Sequence, residues 1–412
     1  MLRRASRRLC ANVDQTFIKS QSVWNIEFGD RATTKDLEMH RCQPTIPMFS
    51  VMDMEGNVTN PDHDPKISKD ECRKIMETMV RHNQTDRILV ESQRQGRISF
   101  YMTGFGEEAA VVGSVAGAQP QDYIYMQYRE AAGLAYRGYT IREMIAQCMG
   151  NAEDDARGRQ MPIHYGSPRL NVHTISSPLA TQIPQAAGAG YAFKLEGADR
   201  ICMCYFGDGS ASEGDFHAGV NFASTTGAQT LFICRNNGYA ISTPTKDQYR
   251  GDGIVPRGIA YGMPSVRVDG TDLLAVYRAT QELRKVIVGE QTPAMLELMG
   301  YRVGHHSTSD DSTRYRSKDE ISYMDETFNP VARFEKYLTK KGWWSAEDSD
   351  AVRAATRETV LQELKRQEKL PLHPPEVMFE DTTDVPLPTL QEQKEETLAH
   401  YERNKAYYTA KH

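Results

Sequence analysis

The chain lacks the features that define several large classes of protein. Its 412 residues contain no run of about 18 apolar residues, the length that spans a bilayer. The seven cysteines are scattered and include no C-x-x-C pair, so neither a disulfide framework nor a structural zinc site is predicted. The 49 Lys and Arg nearly balance the 55 Asp and Glu, which argues against a nucleic-acid binder. No G-x-G-x-x-G opens a helix after a strand, so a nucleotide-binding dehydrogenase is disfavoured.

The N-terminus is basic. Residues 1–9 include four arginines, and the first acidic residue is Asp14. This bias, without an apolar h-region, is typical of a mitochondrial transit peptide. Residues 1–27 are therefore predicted to be such a leader, and the mitochondrial matrix is the expected location. A solvated basic terminus is the alternative.

Composition divides the rest of the chain into three parts. Residues 28–67, rich in proline and isolated hydrophobes, are predicted to form an extended arm. Residues 68–370 form the core, where short apolar runs alternate with helical patterns as in a parallel, doubly wound sheet. Residues 371–412 begin with a proline-rich connection and end in a charged helical pattern. The predicted fold is α/β: a mainly parallel sheet flanked by helices, with an extended N-terminal arm and a helical C-terminal extension.

Local structure can be predicted for three segments of the core. Ser68 forms a capping-box pattern with Glu71 and predicts the start of a helix that runs towards Arg94. The segment 301–317 is dense in His, Ser, Thr, Asp and Arg, and is expected to be a mobile loop until something orders it. A further helical pattern runs from residue 319 to about residue 369.

Two strand ends carry the most informative pattern. The apolar strand 201–206 stops at Gly207-Asp208-Gly209, and a second strand, 229–234, is followed by Arg235-Asn236-Asn237-Gly238-Tyr239. Parallel strands would present both clusters in one crevice, where open α/β sheets bind ligands. A carboxylate, an amide oxygen and a carbonyl suit Mg²⁺ that is shared with a diphosphate. Gly-Asp-Gly alone also suits an ordinary turn, and the pairing of the clusters favours the metal site.

These clusters resemble the thiamine-diphosphate signature. The match extends to Arg94–Ile98, Gln127–Ala131, Ser176–Gln182, Asn236–Ser242 and Tyr301–Ser307. Together these motifs resemble the alpha subunits of the decarboxylating component of branched-chain 2-oxoacid dehydrogenase complexes, over roughly residues 85–320. The resemblance implies a thiamine-diphosphate-binding fold and oxidative decarboxylation of the 2-oxoacids from valine, leucine and isoleucine. It also implies acyl transfer to a lipoyl group, the 3-methyl-2-oxobutanoate dehydrogenase (2-methylpropanoyl-transferring) activity.

The resemblance implies thiamine diphosphate, Mg²⁺ and K⁺ as cofactors. It assigns Mg²⁺ to Asp208, Asn237 and the carbonyl of Tyr239. Oxygens suited to a structural K⁺ come from Ser176, Pro178, Thr181 and Gln182. The residues expected to bind the thiamine cofactor are Tyr128, Arg129, Ser177, Leu179, Gly207, Asp208, Gly209, Arg235, Asn237, Tyr239 and His306. Within this set Arg129, Arg235 and His306 would contact the diphosphate.

The same resemblance implies roles in substrate handling and regulation. Gln127, Tyr128 and Leu179 would border the branched tail of the substrate. His306 is the expected catalytic residue, which orients substrate or moves a proton, since an imidazole titrates near neutral pH. A metal pair formed by His305 and His306 is disfavoured because adjacent imidazoles point apart on most backbones. Two serines match phosphorylation positions, which implies a regulatory kinase and phosphatase: Ser307 and Ser317.

The chain is expected to supply half of an active site. By resemblance, the carboxylate that acts on the cofactor's aminopyrimidine ring comes from a beta subunit, in an α2β2 heterotetramer. The acceptor of the acyl group would be a lipoyl-bearing dihydrolipoyl acyltransferase core. A pyruvate-using alpha subunit and a catalytically silent scaffold are the alternatives. The segment Ser176–Gln182, which differs in pyruvate-using relatives, favours the branched substrate, and substrate competition separates the two.

Overall fold

The computed structural model describes residue 37 and residues 45–408. The predicted transit peptide, residues 1–27, and residues 28–36 and 38–44 of the predicted arm lie outside the described residues.

The fold is built on strands that lie parallel to one another. The nine strands are β1 Met48–Phe49, β2 Tyr123–Tyr125, β3 Val172–His173, β4 Cys202–Gly207, β5 Thr230–Asn236, β6 Tyr239–Ala240, β7 Thr243–Pro244, β8 Ser265–Asp269 and β9 Ala294–Met299. Seven of them form the main sheet in the order β1-β8-β9-β5-β4-β2-β3. Every pairing in that sheet is parallel, which confirms the predicted fold class. The strand β1, within the predicted arm, forms one edge of the sheet.

The central strands are buried on both faces. Successive side chains of a strand point to opposite sides, so Met203 and Tyr205 of β4 pack into one hydrophobic cluster. Cys204 and Phe206 pack into a second cluster on the other face. A near-continuous apolar run is therefore needed here, because both faces exclude water.

Helices supply the covering layers. The helices are α1 Lys69–Arg94, α2 Glu108–Gly117, α3 Ala131–Tyr136, α4 Ile141–Met149, α5 Gln182–Glu196, α6 Gly214–Thr226, α7 Thr245–Gln248, α8 Val255–Ala260, α9 Leu273–Glu290, α10 Lys318–Phe328, α11 Pro330–Lys340, α12 Ala346–Gln367 and α13 Pro388–Arg403. Helices α1, α2, α3 and α9 cover one face of the sheet, and α5 and α6 cover the other. Within residues 45–408, no helix is both long and apolar enough to cross a membrane.

Local sequence explains where the flanking helices begin and end. Ser68 Oγ accepts from the Glu71 amide at 3.3 Å, so the predicted start of α1 is confirmed. The helical pattern predicted over 319–369 is divided into three helices. Asn329 caps α11 and is followed by Pro330, which favours a first helical position. Gly342, with φ of +64°, lies between α11 and α12.

Candidate active site

One cavity of about 430 Å³ opens at the carboxyl ends of four neighbouring strands, β9, β5, β4 and β2. Asp208 directly follows β4, and Asn237 directly follows β5. Arg129 lies in the loop after β2, and Arg302 lies in the loop after β9. Parallel strands end at the same edge of a sheet, which is why these four segments meet. All the residues predicted to bind the cofactor line this cavity: Tyr128, Arg129, Ser177, Leu179, Gly207, Asp208, Gly209, Arg235, Asn237, Tyr239 and His306.

Two buried guanidinium groups line the cavity without a carboxylate partner. Arg129 and Arg302 are 3% and 1% exposed. Within residues 45–408 their hydrogen-bond partners are carbonyl oxygens, the His306 ring and the Tyr315 hydroxyl. Arg302 Nε is buried with no partner among these residues. A buried cation without a counter-charge is costly, so the pair fits an anionic group such as a diphosphate.

His306 is held between these two guanidinium groups. Its Nδ1 lies 3.2 Å from Arg129 Nη2 and 3.2 Å from Arg302 Nη1. Both neighbours can only donate, so Nδ1 accepts and the ring proton is on Nε2. Burial, followed by the charges of Arg129 and Arg302, lowers the pKa of His306 to about 3. In the ligand-free site, these two fixed cations therefore oppose protonation of the ring.

Arg235 has less freedom to bind a ligand than its motif suggests. Its Nε donates to Glu130 and its Nη1 donates to Glu107. All three side chains are nearly inaccessible, at 3% exposed or less. Although burial opposes its charge, the two carboxylates raise the pKa of Arg235 above its usual value. Nη2, which lies 3.4 Å from Gln127 Oε1, and the second N–H of Nη1 remain for a phosphate. Arg129 and Arg302 are better placed to bind the diphosphate.

The residues predicted to bind magnesium all line this cavity. Burial raises the pKa of Asp208, which accepts from Gln248 Nε2 at 2.7 Å. Asn237 Nδ2 donates to Glu107 Oε1 at 2.6 Å, which fixes the direction of the amide. Its Oδ1 accepts only a long bond, 3.3 Å, from the amide of Tyr239. A buried carboxylate and an amide oxygen with remaining acceptor capacity suit a hard cation such as Mg²⁺.

The predicted substrate-contacting residues all line the cavity. The amide of Gln127 is occupied within the protein, since Oε1 accepts from the Gly207 amide at 2.7 Å and Nε2 donates to Ser210 Oγ at 3.1 Å. Tyr128 meets His306 edge-on, with ring centroids 6.0 Å apart. An apolar wall that the sequence analysis missed is formed by Phe100, Met102, Met161 and Ile163.

The predicted potassium ligands lie together beside this cavity. Thr181 Oγ1 is 3.3 Å from Ser176 Oγ and 3.0 Å from the Pro178 carbonyl. Gln182 is buried, and its Nε2 donates to the Tyr205 carbonyl of β4 at 3.0 Å. Three of the four predicted residues therefore place oxygens near one point, while the amide nitrogen of Gln182 is used by the sheet.

The segment 301–317, expected from its composition to be a mobile loop until something orders it, is hydrogen-bonded in this structure. His305 Nδ1 accepts from the Ser312 amide at 3.0 Å, and the Thr308 amide donates to the Tyr101 carbonyl at 3.1 Å. Polar side chains here replace a hydrophobic core with hydrogen bonds, which hydropathy cannot detect. Ser307 Oγ accepts from the Ser309 amide at 3.2 Å, and Ser317 Oγ caps α10. The two histidines have separate partners.

Three charged residues of the site are not among those predicted from the sequence. Glu107 and Glu130 form ion pairs with Arg235. Arg302 is the second of the two guanidinium groups that have no carboxylate partner within residues 45–408. Glu130 and Arg302 belong to motifs that the resemblance already quoted, so their buried positions could have been anticipated. Glu107 had a weaker signal, an acidic pair before the apolar helix α2.

Fold and site together define a class: a parallel α/β protein with a cleft at the carboxyl edge of its sheet, where two buried guanidinium groups suit an anionic cofactor. Comparison with known proteins narrows this class. Residues 76–376 match the family model described as "Dehydrogenase E1 component".

Named relatives cover most of the chain. The human 2-oxoisovalerate dehydrogenase subunit alpha, mitochondrial, is 50% identical over 89% of this chain and 82% of its own length. The Dictyostelium discoideum protein of the same name is 48% identical over 94% of this chain and 88% of its own length. The Arabidopsis thaliana subunit alpha 1, mitochondrial, is 50% identical over 85% of this chain and 74% of its own length.

The chain belongs to the dehydrogenase E1 component family. Members of this family depend on thiamine diphosphate, which agrees with the anion-binding cleft. The resemblance drawn from the motifs is confirmed, and the relatives' names confirm the predicted mitochondrial location.

Glu107 is expected to control both stability and ligand binding. Glu107→Ala leaves Arg235 with one carboxylate and Asn237 Nδ2 without its acceptor. We expect unfolding free energy to fall by about 3–5 kcal/mol and affinity for Mg²⁺ to fall by roughly 10- to 100-fold. Chemical denaturation and Mg²⁺ titration monitored by cofactor binding measure the two effects. Glu213→Ala is the control, because Glu213 lines the same cavity but is exposed. Equal behaviour of the two variants would contradict the role given to Glu107.

Proposed function

We propose that the chain is the alpha subunit of a thiamine-diphosphate-dependent branched-chain 2-oxoacid dehydrogenase. Its reaction is the oxidative decarboxylation of the 2-oxoacids derived from valine, leucine and isoleucine, with acyl transfer to a lipoyl group. The observation that carries the proposal is the meeting of Asp208 and Asn237 with Arg129 and Arg302 at one sheet edge. Relatives named 2-oxoisovalerate dehydrogenase subunit alpha support the substrate.

The chain's own residues bind and orient the cofactor. Asp208, Asn237 and the carbonyl of Tyr239 would hold Mg²⁺, while Arg129 and Arg302 donate charge-assisted hydrogen bonds to the diphosphate. Once bound, thiamine diphosphate supplies a carbon nucleophile and an electron sink for decarboxylation. His306 would donate from Nε2 towards the ligand, because its Nδ1 accepts from both guanidinium groups. The apolar wall excludes water from the branched tail of the substrate.

A potassium ion is proposed beside the cleft. The oxygens of Ser176, Pro178 and Thr181 that lie near one point are hard ligands of the kind that K⁺ takes. Such an ion would fix the loop that carries Ser177 and Leu179 into the cavity. Gln182 would contribute through an oxygen, since its amide nitrogen is bonded to β4.

The chain is proposed to work with partners. The described residues form one large parallel sheet with one cofactor cleft, which supports the expected dependence on a beta subunit in an α2β2 heterotetramer. The acyl acceptor is proposed to be the lipoyl arm of a dihydrolipoyl acyltransferase core. Activity of the chain alone would overturn this half-site argument.

Substrate preference provides the first test of the proposal. The chain, purified together with a beta subunit and supplied with Mg²⁺ and thiamine diphosphate, should release CO₂ faster from 3-methyl-2-oxobutanoate than from pyruvate. Asp208→Ala should abolish this release, because the cation loses its carboxylate ligand. Asp215→Ala, an exposed acid in the first turn of α6, is the matched control. Preference for pyruvate would keep the cofactor site and reject the branched substrate, and a loaded complex without turnover would favour a silent scaffold.

The pH dependence of turnover tests the state of His306. Burial and the charges of Arg129 and Arg302 lower the pKa of His306 to about 3 in the ligand-free chain, and we propose that burial keeps the ring neutral from pH 5.5 to 8 in the loaded enzyme. His306→Gln should therefore reduce kcat/KM by roughly 100-fold without changing the shape of its pH profile in that range. The profile of the assembled enzyme, with and without the substitution, measures this. If the wild-type profile showed an ionisation near pH 6.5 that the variant lacks, His306 would exchange a proton during catalysis.

Phosphorylation by a kinase, reversed by a phosphatase, is proposed to act more strongly at Ser307 than at Ser317. A phosphate on Ser307 adds a charge of about −1.5 to −2 beside Asp310, whose amide donates to the Ser307 carbonyl at 3.1 Å. Ser317 caps α10, and a helix N-terminus favours an added anion. Mass spectrometry of phosphopeptides from the native protein shows which serine is modified. The activities of Ser307→Glu and Ser317→Glu measure how strongly a negative charge at each serine inhibits the enzyme. Equal inhibition by the two variants would contradict the order.

A further inference from the structure

A strained turn lies at the rim of the cofactor cleft. The turn spans Met161 to His164 and is closed by the His164 amide, which donates to the Met161 carbonyl at 3.2 Å. Pro162 occupies its second position, and Ile163, with φ of +67°, its third. Turns of this kind place glycine at the third position, because a β-branched side chain is strained there.

The surroundings hold this strained backbone in place. Gln147 is buried, and its Nε2 donates to the Met161 carbonyl at 2.7 Å. Ile163 is 1% exposed and belongs to the main hydrophobic cluster. Backbone strain of this type persists at ligand sites, where the surrounding structure over-determines it. The turn delivers two consecutive side chains, Ile163 and His164, to the cavity wall.

The contacts of His164 define its protonation pattern. Its Nδ1 lies 3.1 Å from the Pro162 carbonyl, and its Nε2 lies 2.6 Å from Ser177 Oγ. A carbonyl can only accept, so in the neutral ring Nδ1 carries the proton and Nε2 is an acceptor. The hydroxyl of Ser177 must therefore donate to His164. Its oxygen keeps its lone pairs for another partner.

We propose that His164 is a positioning residue that fixes the Ser177 hydroxyl, so that Ser177 presents a hydrogen-bond acceptor to the occupant of the cleft. The group of the cofactor or substrate that meets Ser177 is then a hydrogen-bond donor. This inference rests on the proposed function, because it concerns the same cleft. It adds a role for a residue that no motif of the sequence analysis contains, and it gives the direction of the Ser177 hydrogen bond.

A double-mutant cycle in the assembled enzyme tests the pairing. His164→Ala and Ser177→Ala should each lower kcat/KM for 3-methyl-2-oxobutanoate by roughly 10- to 100-fold, since each removes one partner of a buried hydrogen bond. The double variant should be no worse than Ser177→Ala alone. His164→Gln, which keeps an acceptor towards Ser177, should recover most of the loss. His173→Ala is the control, because His173 is exposed on β3 and stacks on Tyr125 outside the cleft.

Binding measurements separate failure of this inference from failure of the proposed function. The same cycle is measured as the dissociation constant of thiamine diphosphate by titration calorimetry, which does not require turnover. If the wild-type enzyme did not turn over the branched substrate, the proposed function would be rejected. Coupling between His164 and Ser177 in the binding cycle would still support the inferred hydrogen bond. If His164→Ala caused the same loss in the wild type as in the Ser177→Ala variant, both in turnover and in binding, the inference would be overturned. If His164→Ala fails to fold, failure of His164→Gln to reach wild-type values would also count against it.

Discussion

The geometry of the site depends on the buried ion triad of Arg235, Glu107 and Glu130. The two carboxylates directly precede α2 and α3, and the guanidinium group lies near the carboxyl end of β5. The triad therefore ties together three segments that are distant in sequence. Each carboxylate also fixes a neighbour, since Glu107 accepts from Asn237 and Glu130 accepts from the amide of Gln127 at 2.9 Å. Removal of one member would leave a buried charge unpaired, so the three groups form a single unit.

This triad decides what the remaining charges can bind. Because Arg235 is paired with carboxylates, the net attraction for an anion comes from Arg129 and Arg302, which have no carboxylate partner in the part of the chain that the structure describes. Asp208 lies in the same cavity and would repel a bare diphosphate, while the two guanidinium groups would repel a bare divalent cation. A diphosphate that arrives with Mg²⁺ satisfies both sets at once. The arrangement therefore favours joint binding over binding of either ion alone.

The sequence predicted the architecture and the membership of the site better than the roles within it. Parallel strands that end in polar clusters predicted the crevice, and Asp208 and Asn237 meet there because β4 and β5 are neighbours. The sequence could not show that Arg235 also pairs with Glu107 and Glu130, because these residues lie more than a hundred positions away in the chain. Spacing along a sequence cannot show that a cation is already neutralised. The hydrogen bonds of the segment 301–317 could not be predicted from its composition, because hydropathy does not show which polar groups pair with one another.

Within residues 45–408, three of the eight non-glycine residues with positive φ lie at or beside the same cleft. Ile163 and Ile241, two β-branched residues with positive φ, both line it, and Ala180 takes a positive φ directly after Leu179. Glycine would adopt these conformations without strain. The presence of isoleucine at both positions therefore indicates that its side chain is needed in the cavity wall. At Ile241 the left-handed backbone also presents a carbonyl to Arg302, at 2.8 Å. The strained residues therefore lower stability where the chain shapes the apolar wall and where a carbonyl accepts from Arg302. Backbone strain of this kind is typical of binding sites.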